Sequence, residues 1–304
     1  MEDNLYYVMT ATKNYLNLGR DMSRINSKNE EITTRDGHVY GFMVECTAIA
    51  GDVVTAYCAP NSWKMRNSFR KFHAYRDLMF ENAGVEGDEK GRYGKTIRPY
   101  LDRGHFAGNK LVPATVDSAG TAVSLDGGDW TYTQLATTPI YTDGPRPSTS
   151  VESWADSFPL HICEENIEGS PGDESTSGTY DSVGMIHSYN LDRMEIVTPV
   201  EAEALASPSN PLAALRSTGN QATGEVLDIA IDQELEAPPY DIADNGDSIQ
   251  TIINSVRAST AEIPTMRWNM FVPAGLARIE VATPGVGVAL QVRVLGKVLC
   301  KDLA

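Results

Sequence analysis

The chain has 304 residues, with 25 Lys/Arg against 41 Asp/Glu, a formal charge of −16 at pH 7, 41% hydrophobic residues and 22% charged residues. A chain this long buries roughly three quarters of its unfolded surface, and its composition is that of an ordered globular protein, so wholesale disorder is excluded. Met1-Glu2-Asp3-Asn4 opens without a basic region or an apolar stretch behind it, and no run approaches the ~20 apolar residues of a membrane span, since even 41–50 is broken by Glu45. Neither a secretory leader nor a helical anchor is expected.

In chain order, residues 5–20 are expected to form a contact segment. Two β-prone runs follow at 39–49 and 53–58, joined by Ala50-Gly51-Asp52, and read as a hairpin. That hairpin would set Cys46 opposite Tyr57 and Cys58 opposite Glu45. The two thiols would then point to opposite faces, and no disulfide is expected. Cys46, Cys58, Cys163 and Cys300 contain no CxxC pair and are read as reduced thiols packed in a core.

The next segment, 62–83, is helical. Met65, Phe69, Phe72, Arg76, Met79 and Phe80 fall at i, i+4, i+7, i+11, i+14 and i+15, with Pro60-Asn61-Ser62 as start and Gly84 as stop. Lys64, Arg66, Arg70 and Lys71 occupy the remaining positions. They form a solvated face over the aromatic stripe or, on the functional reading, a face for phosphates or lipid headgroups. Residues 85–110 have no period; glycines and the basic Arg92, Lys95, Arg98, Arg103 and Lys110 punctuate them. Such a stretch is expected to lie against a neighbouring molecule.

Further β-prone runs are read at 122–125, 130–135, 160–163, 184–189, 193–199, 224–231, 249–256, 265–272, 276–282 and 287–300. Thr283-Pro284-Gly285 joins two alternating runs and reads as a second hairpin. The Pro- and Ser-rich 141–150 stretch is the candidate boundary between two halves, and 232–247 is an acidic surface connector. Many short strands with few helices imply a sandwich or barrel rather than a βαβ fold.

The charge is uneven. Residues 1–110 hold 16 Lys/Arg and 14 Asp/Glu, net +2; residues 111–304 hold 9 and 27, net −18. An acidic surface repels phosphate backbones, so the second part is no nucleic-acid groove without an intervening cation. Between Arg146 and Arg193 there is no Lys or Arg, and nine acids from Glu152 to Asp192 accumulate. They form a solvated outward face, or a hard-cation site for calcium, although EF-hand spacing is lacking.

Signatures of catalysis fail on spacing. Gly246-Asp247-Ser248 would need a histidine downstream, but His38, His73, His105, His161 and His187 all precede it. Gly285-Val286-Gly287 lacks the third glycine of a dinucleotide loop, and there is neither a P-loop nor HExxH. His161, Cys163 and Glu165 alternate and would share one face of a strand. That face could hold Zn²⁺, but no fourth ligand is identifiable. The acids allow too many pairs to single out a glycosidase dyad. Trp63, Trp130, Trp154 and Trp268 serve as core anchors or line a sugar cleft. No catalytic, cofactor-binding or metal residue is assigned, and the chain is not read as an enzyme.

Met266-Arg267-Trp268-Asn269-Met270-Phe271-Val272-Pro273-Ala274-Gly275-Leu276 is similar to the strand, Pro-Ala-Gly turn and strand near the end of several small-virus capsid proteins. With the strand pattern along its length, the chain resembles viral major capsid proteins of the double jelly-roll type. The resemblance implies a mainly β fold of two jelly-roll β-sandwiches with a few short helices, the first over 1–145 with the N-terminal segment and the second over 146–304 with acidic surface loops; it makes 62–83 the interstrand helix of the first and 211–217 its counterpart in the second. It implies a structural subunit of the virion that self-assembles through homotrimers into an icosahedral shell, assembled in the host cytoplasm and needing no cofactor. Its partners would be copies of itself, other virion proteins such as pentons, and an internal membrane surface. Capsid proteins that contact their genome carry an Arg-rich arm, whereas residues 1–30 here balance Lys13, Arg20, Arg24 and Lys28 against Glu2, Asp3, Asp21 and Glu30. No strong direct nucleic-acid binding is therefore expected. The net +2 part would face inward and the −18 part, with 164–174, outward. The alternatives are a carbohydrate-binding or carbohydrate-active β-sandwich and a virion spike or tail-fibre component.

Overall fold

The computed structural model describes residues 3–49, 53–82, 84–85, 96–136, 157–164, 167–168, 180–194, 252–258, 265–282 and 288–303. The fold is mainly β. The first elements are β1 (Asn4–Met9), β2 (Lys13–Asn17), α1 (Leu18–Asn26), β3 (Tyr40–Ile49), β4 (Val53–Cys58) and α2 (Trp63–Asn82). Then come α3 (Arg103–Ala107), β5 (Asn109–Lys110), β6 (Ala114–Val116), β7 (Ala122–Ser124), β8 (Gln134–Ala136), β9 (Ser157–His161), β10 (Ile167–Glu168), β11 (Tyr180–Gly184) and α4 (Met185–Met194). The last are β12 (Ile252–Ala258), β13 (Thr265–Pro273), β14 (Leu276–Val281), β15 (Val288–Leu299) and a 3-10 turn over Cys300–Leu303.

Alternating side chains explain the sandwich. Leu5, Tyr7 and Met9, then Val44, Cys46 and Ala48, point one way from their strands; Val54, Ala56 and Cys58 do the same from β4. With Met266, Trp268, Met270, Ile279, Val281, Leu290 and Val292 they form one buried cluster between two sheets. One sheet has the order β1-β15-β3-β13 and the other β12-β4-β14-β2. Within each, neighbouring strands run antiparallel. β5 extends the second sheet, parallel to β2. Numbering only these eight strands 1 to 8 along the chain, the sheets read 1-8-3-6 and 5-4-7-2, so every consecutive pair except the one bridged by 59–251 changes sheet.

Both expected hairpins are corrected by this topology. Cys46 lies opposite Trp268 and Val292 in one sheet, and Cys58 opposite Ala277 and Ile252 in the other. β3 already has β13 and β15 on its two sides, so β4 finds no free edge there and crosses over. β14 and β15 likewise sit in opposite sheets. All four cysteines are buried thiols, as the absence of a disulfide framework implies. Each of the two sheets draws strands from both sides of 145/146. The described residues build one eight-strand sandwich, with 59–251 inserted between β4 and β12.

The crossing from β13 to β14 runs through Pro273-Ala274-Gly275. Ala274 and Gly275 take φ of 54° and 70°, and the Gly275 amide donates to the Val272 carbonyl at 3.2 Å. A Cβ at Gly275 would meet Phe42 at 3.0 Å and the Gly19 nitrogen at 3.2 Å, so glycine is required twice over. The Gly275 carbonyl accepts from Leu18 at 2.8 Å, fastening the start of α1 to this turn.

The helix read at 62–83 is α2. Ser62 Oγ accepts from the Met65 amide at 3.2 Å at its start, and Met65, Phe69 and Phe72 are fully buried. Lys64, expected on the solvated face, is buried as well. The run 184–189 is helical rather than extended. β11 ends at Gly184, where a Cβ would strike the Glu164 carbonyl oxygen at 2.0 Å. α4 then buries Met185, Ile186 and Tyr189. The runs at 193–199 (beyond Met194), 224–231 and 211–217 lie outside the described residues. No described helix is long and apolar enough to cross a membrane.

Charge follows this architecture more sharply than it follows the chain halves. Residues 59–251 hold 14 Lys/Arg and 30 Asp/Glu, net −16, while 1–58 and 252–304 together hold 11 of each, net zero.

Candidate functional site

Two surfaces of the sandwich differ in how they are covered. On the second sheet, the outer residues Tyr15 and Arg278 carry the segment expected to reach a neighbouring molecule. Asp102 is wholly buried. Its Oδ1 accepts from the His105 amide at 2.7 Å and caps α3; its Oδ2 accepts from Arg278 at 2.8 Å. Arg278 also pairs with Glu280 at 3.2 Å and lies 4.6 Å over the Tyr57 ring. The His105 ring stacks on Tyr15 at 4.9 Å. Residues 96–111 are thus held against their own molecule, because one buried carboxylate answers both a helix N-terminus and a guanidinium. Residues 86–95 lie outside the described residues.

The histidine of this cluster is neutral. The Leu101 amide donates to its Nδ1 at 3.1 Å, which leaves Nε2 as the protonated nitrogen, facing Tyr132 Oη at 3.3 Å. Burial, with Lys110 and Arg20 nearby, pulls its pKa down to about 3. Beside it, Arg20 donates to Asp21 at 2.7 Å and to the Leu111 carbonyl, and Tyr7 donates to Asp21 at 2.8 Å. Burial pushes the Asp21 carboxyl up against the pull of these partners. The 5–20 segment, expected as a contact arm, is mostly core: Leu5, Tyr7, Met9, Leu16, Leu18 and Arg20 are buried.

The outer face of the first sheet is different. Its register aligns Val8, Ala289, Ile49 and Thr265 in one row across four strands, and Tyr6, Gln291, Thr47 and Arg267 in the next. Tyr6, Val8 and Ile49 are 53%, 53% and 55% exposed. An apolar row on a β-sheet face with mixed charge around it has the composition of an association surface.

The other candidate residues are not brought together as a reaction centre. His161 donates from Nδ1 to the Cys163 carbonyl and faces Ser182 Oγ at 3.1 Å through Nε2. These two contacts engage both ring nitrogens, and burial holds its pKa near 4. Glu165 lies outside the described residues, as do Gly246-Asp247-Ser248, Gly285-Val286-Gly287 and Trp154. Among the described residues no group of three or more His, Cys, Asp or Glu side chains is placed to hold a metal. Of the acids expected on an outward loop, Glu164 accepts from the Arg103 amide at 2.9 Å. Trp268 is buried with its indole N–H on Met270 Sδ at 3.4 Å; Trp63 meets Tyr189 edge-on, and Trp130 is overlaid by Arg98 at 4.1 Å. The described tryptophans form no paired sugar platform.

Asp102, Tyr15 and Arg278 went unread in the sequence because their partners are distant in the chain. The Asp102-Arg103-Gly104 cap signal was the one local trace. No family model, no curated protein and no solved structure matches this chain.

Proposed function

We propose that the chain is a structural subunit of a viral shell, built on a jelly roll and associating through copies of itself. The observation that carries this reading is the strand order, 1-8-3-6 facing 5-4-7-2. It is the order produced when a strip of four antiparallel strand pairs wraps once around a core. Fold alone does not name a function. Three further features support the reading: the segment 266–276 resembles capsid proteins, the sandwich segments are electrically neutral, and an exposed apolar row crosses the first sheet.

The sandwich segments bring no excess of like charge to their own contacts, because the chain's −16 sits on the acidic insertion. Copies then meet through the Tyr6, Val8 and Ile49 face, and the burial of one patch recurs at every symmetry-related contact. Homotrimers would be the first closed unit of an icosahedral shell, with pentons and a membrane surface as further partners in the virion. The two-sandwich form of the resemblance is replaced in this reading by a single wrap with a large insertion.

Sedimentation velocity over a rising concentration series, with electron microscopy of the same samples, tests the reading. Concentration-dependent trimers, shells or sheets are expected, and Val8→Asp with Ile49→Asp is expected to leave the sandwich folded but monomeric. A wild-type chain that stays monomeric at the highest concentrations and forms no particles refutes it.

A further inference from the structure

The outer face of the first sheet carries charges that its apolar row does not use. One row beyond Tyr6, Gln291, Thr47 and Arg267, the register aligns Asn4, Arg293, Glu45 and Asn269. Arg267 and Arg293 are exposed and Glu45 is half-buried. They are the charged side chains of the three rows. Arg293 lies directly opposite Glu45 across β15 and β3, a position where opposite charges normally close a cross-strand pair. Among the described residues neither side chain makes an ion pair or a hydrogen bond, and Arg267 makes none either.

The three rows are complementary across the two central strands. Ala289 stands beside Ile49, Gln291 beside Thr47 and Arg293 beside Glu45. A two-fold axis lying in an interface, parallel to the strands and midway between β15 and β3, sets β15 of one copy over β3 of the other and β1 over β13. It places Arg293 over Glu45 of the second copy, Ala289 over Ile49 and Tyr6 over Arg267, each of them twice. An axis running across the strands between the second and third rows would instead set Gln291 over Arg293 and Thr47 over Glu45, leaving every charge without its opposite. Aligned sheets stack about 10 Å apart, a gap that an arginine and a glutamate reaching from opposite sides can bridge.

We propose that this face forms a two-fold contact between copies of the chain, in which Arg293 of each copy pairs with Glu45 of the other. The inference rests on the shell reading, which assigns the face to self-association, and adds the symmetry and register of the contact. The apolar row supplies affinity. The two ion pairs select one register, because charge complementarity at an interface contributes more to specificity than to strength. Such a contact is isologous, one patch serving both copies, and closes on itself without exposing a second sticky surface.

The test is charge reversal with complementation between chains. In Glu45→Arg two guanidinium pairs face each other across the contact, and in Arg293→Glu two carboxylate pairs do. Each variant alone is expected to lose about a hundredfold or more in self-association, measured by sedimentation velocity. In an equimolar mixture the two reversed side chains meet each other, while native Arg293 of one chain meets native Glu45 of the other. Association is expected to return to wild-type strength, with native mass spectrometry showing pairs of unlike chains. Wild-type strength in either variant alone, or a mixture no stronger than its components, overturns this pairing while an associating wild type leaves the shell reading standing. A wild-type chain that never associates overturns both. Should Glu45→Arg fail to fold, Glu45→Gln, Arg293→Gln and their combination decide the matter: a combined loss of association no larger than either single loss supports the pair, and strictly additive losses refute it.

Discussion

Replacing Asp102 by alanine removes two interactions at once, and their sizes follow from the geometry. The cap on the His105 amide, 2.7 Å long and wholly buried, contributes about 1 kcal/mol. The charge-assisted bond to Arg278 at 2.8 Å contributes about 1.5–3 kcal/mol. Arg278 keeps Glu280 at 3.2 Å and the Tyr57 ring, so the lower half of that range applies. Asp102→Ala is therefore expected to lower stability by about 3 kcal/mol, or ~6 °C in Tm for a chain of this size. Asp102→Asn keeps an oxygen for the cap while losing the charge, and is expected to lose about half as much. Combining Asp102→Asn with Arg278→Met should fall short of the sum of the single changes by about 1–2 kcal/mol, because each single change strands the other partner. Urea unfolding followed by tryptophan fluorescence measures the wild type, the three single variants and the double variant. An Asp102→Ala midpoint indistinguishable from wild type, or strict additivity in the double variant, would refute the view that this carboxylate fastens 96–111 to the second sheet.

The three buried histidines give a pH dependence with a definite sign. Burial lowers His105 to about 3 and His73 and His161 to about 4, below the ordinary 6.5, so the unfolded chain binds more protons. Their contribution is fully present above pH 6.5 and is lost as pH falls towards 4; His105→Gln should flatten the slope of the urea midpoint against pH, and an unchanged slope counts against it. Gly184→Ala places a methyl where the Glu164 carbonyl oxygen is 2.0 Å away and should destabilise by about 1–3 kcal/mol. Gly296→Ala, with open space around it, should stay within about 0.5 kcal/mol, and equal melting temperatures for the two variants would contradict this packing. Burial raises the Cys46 and Cys300 thiols to about 12, so a disulfide reagent at pH 8 should label them only after unfolding. Prompt labelling of either in the native protein would show that the core is open there.

Much of the fold was legible at short range. The aromatic stripe from Met65 to Phe80 specified α2, and alternation placed β3, β4, β13, β14 and β15 within one or two residues of their observed ends. The run 184–189 differs because a short apolar stretch fits either period; its first residue ends β11, packed so closely on the residue 164 carbonyl that only glycine fits, and the rest begins α4. The contact segment expected at 5–20 instead supplies most of β1 and all of β2, which complete the two sheets from positions beside β15 and β14.

What the amino-acid order determined by itself is which side chains turn inward, since period 2 or 3.6 is a property of consecutive residues. Which strand lies beside which was decided only in three dimensions. Cys46 faces Val292, and Asp102 meets Arg278 across 176 positions. An alternating strand is equally content in either sheet of a sandwich, and only the occupancy of neighbouring edges by distant parts of the chain breaks that tie.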